Sequence, residues 1–168
     1  MSVLTEGSLQ IDFHATVKAR KFDDRSHGLS HCMKAVDFVA EMEDQYFFIE
    51  FKDPCRGELG HSEAEKYIKE FLAGSIDEEL KYKYRDSFLY EWASGRAEKP
   101  VYYLVLIAVE NLGAADLLMR TDELNRKLPC AVPSHVEWKC PIIAGCAVFN
   151  IAEWNRRFGA HFPVSRKA

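Results

Sequence analysis

The stretch KAVDFVAEM at positions 34–42, followed by ED at 43–44 and QYFFIEFKD at 45–53, decides the fold. Aromatic and β-branched residues dominate both arms, and two acidic residues break them, so the segment reads as two antiparallel strands, Lys34–Met42 and Gln45–Asp53. Pro54 ends the second, because proline cannot donate to a ladder. A turn centred on Glu43 and Asp44 pairs Ala40 with Phe47 and, further out, Asp37 with Glu50. Period-two alternation then puts Val36, Phe38 and Ala40 with Phe47, Ile49 and Phe51 on one wholly apolar side. Ala35, Asp37 and Val39 share the other side with Phe48, Glu50 and Lys52. Two carboxylates directly opposite each other repel, and burying them is unfavourable. A divalent cation between them removes both problems, and the ammonium of Lys52, their diagonal neighbour, helps with the charge. The plain alternative is a partly exposed ion-pair cluster, a common feature that contributes little to stability.

Upstream of the hairpin, Leu9, Ile11, Phe13, Ala15, Val17 and Ala19 alternate with polar residues, which predicts one strand over Leu9–Ala19 with a wet face. Lys21–His31 reads as a polar loop. Downstream, Ser62 and Ser75 open two capping-box patterns, predicting helices near 63–73 and 76–93 separated at Gly74, with Gly95 stopping the second. Val101–Val109 is apolar at nearly every position, the signature of a strand covered on both faces. A helix follows over 114–128, with i,i+4 pairs Asp116/Arg120 and Glu123/Lys127 and Pro129 at its end. Ile142–Phe149 is a further strand, and Ile151–Phe158 a short amphipathic helix. The expected fold is α/β: a mixed central sheet of three N-terminal strands including a hairpin, then helices and further strands, flanked by helices.

The chain has 168 residues, within the range of a single domain spanning 1–168. With 48% hydrophobic and 29% charged residues, the composition is that of an ordinary globular protein. Val101–Val109 is far too short to span a bilayer, and the N-terminus lacks the basic start and apolar run of a secretory signal, so a soluble cytoplasmic protein is expected. The five cysteines form no C-x-x-C pair and read as reduced thiols; Cys32 and Cys55 with His31 match no usual zinc spacing. A net charge of −4 argues against a tight, non-specific grip on DNA, while leaving room for a site whose carboxylates hold a cation.

The spacing of Asp37, Glu50 and Lys52 resembles the PD-(D/E)xK, or restriction endonuclease-like, nuclease superfamily. That superfamily carries an Asp on one strand and Glu-x-Lys on its antiparallel neighbour, followed by a helix and another strand. The likeness covers residues 9–109. No proline precedes Asp37, and the residues ahead of Leu9 leave no room for the family's usual opening helix; Glu6 is the acid in place to stand for the one that helix often brings. The resemblance implies a Mg²⁺- or Mn²⁺-dependent nuclease acting on DNA. Asp37, Glu50 and the carbonyl of Phe51 would hold the ion, which activates water, and Lys52 would stabilise the developing charge. The alternatives are a catalytically inactive domain of the same fold that binds a protein or nucleic-acid partner, and an unrelated α/β interaction domain. KYKYR at 81–85 reads as a solvated helix face backed by core, His61 as a loop residue near the hairpin's open end, and the basic C-terminus as closing the fold.

Overall fold

The computed structural model describes residues 2–25, 27–54, 61–130, 137–138 and 141–167, with only the backbone of 61 and 62. Its centre is a five-stranded sheet in the order β3-β4-β5-β6-β7: Lys18–Lys21, Phe38–Glu41, Tyr46–Lys52, Val101–Ile107 and Gly145–Phe149. β4 runs antiparallel to both its neighbours, β3 and β5, while β6 and β7 run parallel to β5. A second, antiparallel sheet is formed by β1 (Ser2–Glu6), β2 (Leu9–Phe13) and β8 (Val164–Arg166) in the order β1-β2-β8.

Because β5 and β6 lie mid-sheet, alternate residues feed two different cores. Phe48, Tyr103, Val105 and Ile107 meet Phe71 of α1 (His61–Leu72), Leu80 and Tyr84 of α2 (Asp77–Ala93) and Leu117 and Leu124 of α3 (Ala114–Lys127). Phe47, Ile49, Phe51, Leu104 and Leu106 meet Leu9, Ile11 and Phe13 of β2, Val164 of β8 and Trp154 of α4 (Ile151–Phe158). The near-continuous apolar run at 101–109 follows from this double coverage. The described residues thus form an α/β protein in which a mixed sheet is packed against helices. No helix among them is long and apolar enough to cross a membrane.

The hairpin register matches the sequence expectation, with Phe38 facing Ile49 and Ala40 facing Phe47. Other expectations need correction. The strand anticipated over Leu9–Ala19 is two strands in different sheets. The chain turns at His14, whose carbonyl accepts from the Val17 amide at 2.9 Å while its amide donates to His161. Val36 does not share the face of Phe38; it packs in the helix-side core, because regular pairing begins only at Phe38 and the Val36 amide donates to Ser87 Oγ at 3.0 Å. Ser75 caps nothing: Ile76 holds the N-cap position of α2.

Nor do the two i,i+4 pairs expected on α3 form; Glu123 pairs instead with Arg126, at 2.7 Å. Asp116 caps through the Gly113 amide, and Arg120 and Lys127 both reach across to the fully buried Asp77 at the start of α2. Gly74, at φ 77°, makes the left-handed turn between α1 and α2 just where a Cβ would crowd Asp77 Oδ2 at 3.0 Å and Arg120 at 3.3 Å. The last sheet strand begins at Gly145 rather than Ile142. Its outer edge is sealed by α3, where Asn125 bonds both the amide and the carbonyl of Cys146 and Thr121 Oγ1 accepts from the Val148 amide.

Candidate functional site

At the open end of the hairpin β4 stops while β5 runs on, and Asp37 turns its carboxylate into the gap. Its Oδ2 accepts the Phe51 amide at 2.6 Å, replacing the ladder bond that β4 no longer supplies. The carbonyl of Phe51 points to the same strand edge, since amide and carbonyl of one strand residue share a direction. The chain before Asp37 is clamped by α2: Asp86 Oδ2 accepts from the Lys34 amide and Ser87 Oγ from the Val36 amide. Asp37 is 3% exposed and Glu50 0%.

Lys52 lies on the same face, two residues beyond Glu50. Its Nζ is 3.0 Å from Glu50 Oε1 and 2.8 Å from Glu79 Oε1 on α2. The structure therefore brings together all three residues of the Asp/Glu/Lys motif. It also adds a residue that the sequence reading missed. Lys83, one turn after Glu79, places Nζ 2.7 Å from Glu50 Oε1 and 3.7 Å from Asp37 Oδ1. A signal for it existed: the i,i+4 pair Glu79/Lys83 borders the inward-facing Leu80, Tyr84 and Ser87 rather than the solvated side of the helix.

Two further acids approach from the N-terminal segment. Glu6, on the β1–β2 hairpin, Asp23, just past β3, and Asp37 each offer an oxygen, and these atoms lie within 4.8 Å of one another. The Phe22 amide donates to the Asp37 carbonyl at 2.8 Å, which draws the end of β3 onto the hairpin, and Lys21 Nζ holds Glu6 Oε2 at 2.8 Å. Glu6 thus reaches Asp37 from the N-terminal segment. Asp23, read from sequence as part of a polar loop, had no signal beyond its charge.

The electrostatics follow from burial. Desolvation, reinforced by Glu50, lifts Asp37 well above the usual carboxylate range; Lys83 and the Phe51 amide pull the other way. Desolvation also raises Glu50, against the pull of Lys83 and Lys52. For both lysines burial favours the neutral amine, but Glu50 with Glu79 for Lys52, and with Asp37 for Lys83, outweighs it and holds each ammonium charged. Glu50 Oε2 is buried and makes no hydrogen bond among the described residues, an arrangement that is costly unless something supplies a partner.

Hard oxygen donors in this number suit Mg²⁺ or Mn²⁺, and Mg²⁺ keeps several waters, so one or two direct carboxylates suffice. Among the described residues the acids close enough to share one ion are Glu6, Asp23 and Asp37. Glu50 is not in that group, and its Oε1 is taken by two ammonium groups. A small cavity of about 140 Å³ opens beside these acids, lined by Glu6, Phe51, Lys52, Asp53 and Tyr67. Burial raises the Tyr67 phenol to about 12, so it enters that cavity as a neutral hydroxyl. His61, expected in a loop, is instead the first residue of α1; its side chain and residues 55–60, Cys55 among them, lie outside the described residues. No protein-family model, curated protein or solved structure matches the chain.

Proposed function

We propose that the protein is a divalent-cation-dependent nuclease of the PD-(D/E)xK type, hydrolysing phosphodiester bonds in DNA. The observation that carries this reading is a buried acidic pair with one oxygen left without a donor. Asp37 and Glu50 are buried, the half-buried Glu6 and the exposed Asp23 bring two more carboxylates to the rim of the pair, and Glu50 Oε2 has no hydrogen-bond donor among the described residues. A cluster that served only to hold the fold would be expected to satisfy its acceptors.

In this reading Asp37 is the shared ligand, with Glu6 and Asp23 or with Glu50 and the Phe51 carbonyl completing the set. A bound Mg²⁺ or Mn²⁺ would supply Lewis acidity toward a phosphate oxygen and lower the pKa of a coordinated water. Lys52, steadied from behind by Glu50 and Glu79, would present a fixed ammonium to the charge that develops on the phosphate. Tyr67 would offer a neutral hydroxyl to the same group from across the cavity. DNA would be held by local contacts at this mouth rather than by a basic surface, as the net charge of −4 requires.

A second reading, a catalytically inactive domain of this fold that binds a partner, is favoured by Lys83, because two lysines already engage Glu50 without any metal. One experiment separates the two. Linear, nicked, branched and single-stranded DNA, with RNA in parallel, are incubated with the protein and Mg²⁺ or Mn²⁺, beside chelator and Lys52→Ala controls. Cleavage that needs the metal and disappears in Lys52→Ala supports the nuclease. Binding without cleavage on every substrate supports the inactive domain.

A further inference from the structure

Asp37 belongs to two sets at once. It is a partner of Lys83, 3.7 Å from that ammonium, and it is a member of the Glu6/Asp23/Asp37 group whose oxygens can share an ion. The Lys83 side chain is only 15% exposed and comes from the middle of a helix whose neighbouring turns are engaged, Glu79 on Lys52 and Ser87 on the Val36 amide. Its ammonium stands at the place where a cation between Asp37 and Glu50 would stand.

We propose that Lys83 is an internal counter-ion that competes with the divalent cation for Asp37 and Glu50, so that the metal and the Lys83–Asp37 contact exclude each other. The inference rests on the metal-site reading above. Without any cation the two buried carboxylates repel each other. With both cations present, an ammonium and a divalent ion crowd one carboxylate, and like charges in a buried setting repel strongly. One cation at a time on Asp37 is the favourable arrangement. Lys52 differs from Lys83 in its partners: Glu79 and Glu50 hold it, and Glu79 lies outside the metal set, so Lys52 keeps its place when the ion enters. Lys83 therefore lowers the metal affinity and in return stabilises the metal-free protein.

The test is a calorimetric titration of Mn²⁺ into the full chain, as wild type, Lys83→Met and Lys83→Arg. Lys83→Met, which keeps the stem and removes the charge, tightens Mn²⁺ by about tenfold or more, within the usual range of coupling between sites. Lys83→Arg stays close to wild type. If Lys83→Met does not fold without metal, the wild type carries the test. Reductive methylation of Lys83, followed by peptide mass, becomes faster when saturating Mg²⁺ is added, because the amine has lost Asp37.

Equal or weaker Mn²⁺ binding by Lys83→Met, or a methylation rate unmoved by Mg²⁺, overturns the inference and leaves the metal site standing. Mn²⁺ binding by Lys83→Met but not by wild type upholds the counter-ion and removes metal-dependent cleavage by the natural chain. No binding by either protein overturns both.

Discussion

Two ionic clusters sit on α2, one at its first residue, Asp77, and one at Glu79 and Lys83 in its first two turns, and they are built to different ends. At the first, Asp77 receives Arg120 on one oxygen and Lys127 on the other, the latter at 2.8 Å. Both carboxylate oxygens are occupied, bases outnumber the acid, and the group ties α3 to the α1–α2 turn. At the second, the buried Asp37 and Glu50 meet Lys52 and Lys83, the half-buried Glu6 and the exposed Asp23 border them, and among the described residues Glu50 Oε2 has no hydrogen-bond donor. Burial alone does not mark a site, since Asp77 and Glu50 are both 0% exposed. What separates them is whether the carboxylate oxygens are satisfied: both of those on Asp77 are and one on Glu50 is not, although Arg120 Nε in the first cluster also lacks a partner among the described residues.

The sharpest way to break this contrast is to read activity and stability on both clusters. Lys52→Ala should lower DNA cleavage by about a hundredfold or more, the size of effect seen when a positioned charge-stabilising group is removed. Asp77→Asn should leave cleavage per folded molecule unchanged. A loss of turnover in Asp77→Asn at a temperature where it is fully folded would erase the distinction.

Stability should respond in the opposite order. Asp77→Asn strands Arg120, 3% exposed, without its counter-charge, and chemical denaturation should show a loss of about 3–5 kcal/mol, the usual result of breaking a buried pair. Glu50→Gln removes a carboxylate whose burial is unfavourable and leaves Lys52 on Glu79 and Lys83 near Asp37. Its loss should be smaller, about 1–2 kcal/mol.

The pH dependence sharpens the comparison further. Asp37 and Glu50 have folded-state pKa values above those of the unfolded chain. Between the two values the native state holds more protons, so the contribution of these groups to stability falls as pH rises through the folded pKa. A divalent ion competes with those protons. Mg²⁺ should therefore raise the melting temperature more at pH 8 than at pH 5, by several degrees at 100 times its dissociation constant, where linkage supplies about 2.7 kcal/mol. Scanning calorimetry at the two pH values measures this. The same scan should find Mg²⁺ without effect on the penalty of Asp77→Asn.

The smallest effect belongs to the surface. Breaking the exposed Glu78–Lys81 pair by Lys81→Ala should change stability by no more than about 0.5 kcal/mol.

Much of the fold was legible because a few local signals were strong. The acidic break at 43–44 set the hairpin register, the run at 101–109 announced a strand covered on both faces, and Gly74 marked the join of two helices. What escaped depended on distant partners. β1 and β8 are short, with Val3 54% exposed and only Val164 buried among the three residues of β8, so neither shows an alternation to read. The split between β2 and β3 hides behind an alternation that continues through the turn at His14. Arg120 and Lys127 of α3 matched a local pairing rule and were drawn instead to Asp77. For the site, Asp37, Glu50 and Lys52 could be named because strand period and register place them; Lys83 and Asp23 arrive from a helix face and a loop whose docking no local pattern encodes.

The acids around Asp37 are proposed to hold a divalent cation. Titration of Mn²⁺ into the wild type at pH 8, followed by calorimetry, tests it most directly, with Asp37→Asn as a control shown to be folded by its thermal melt. One ion bound per wild-type chain, and none to Asp37→Asn, is the predicted result. Heats no larger than dilution for the wild type, or the same binding in both proteins, would contradict it.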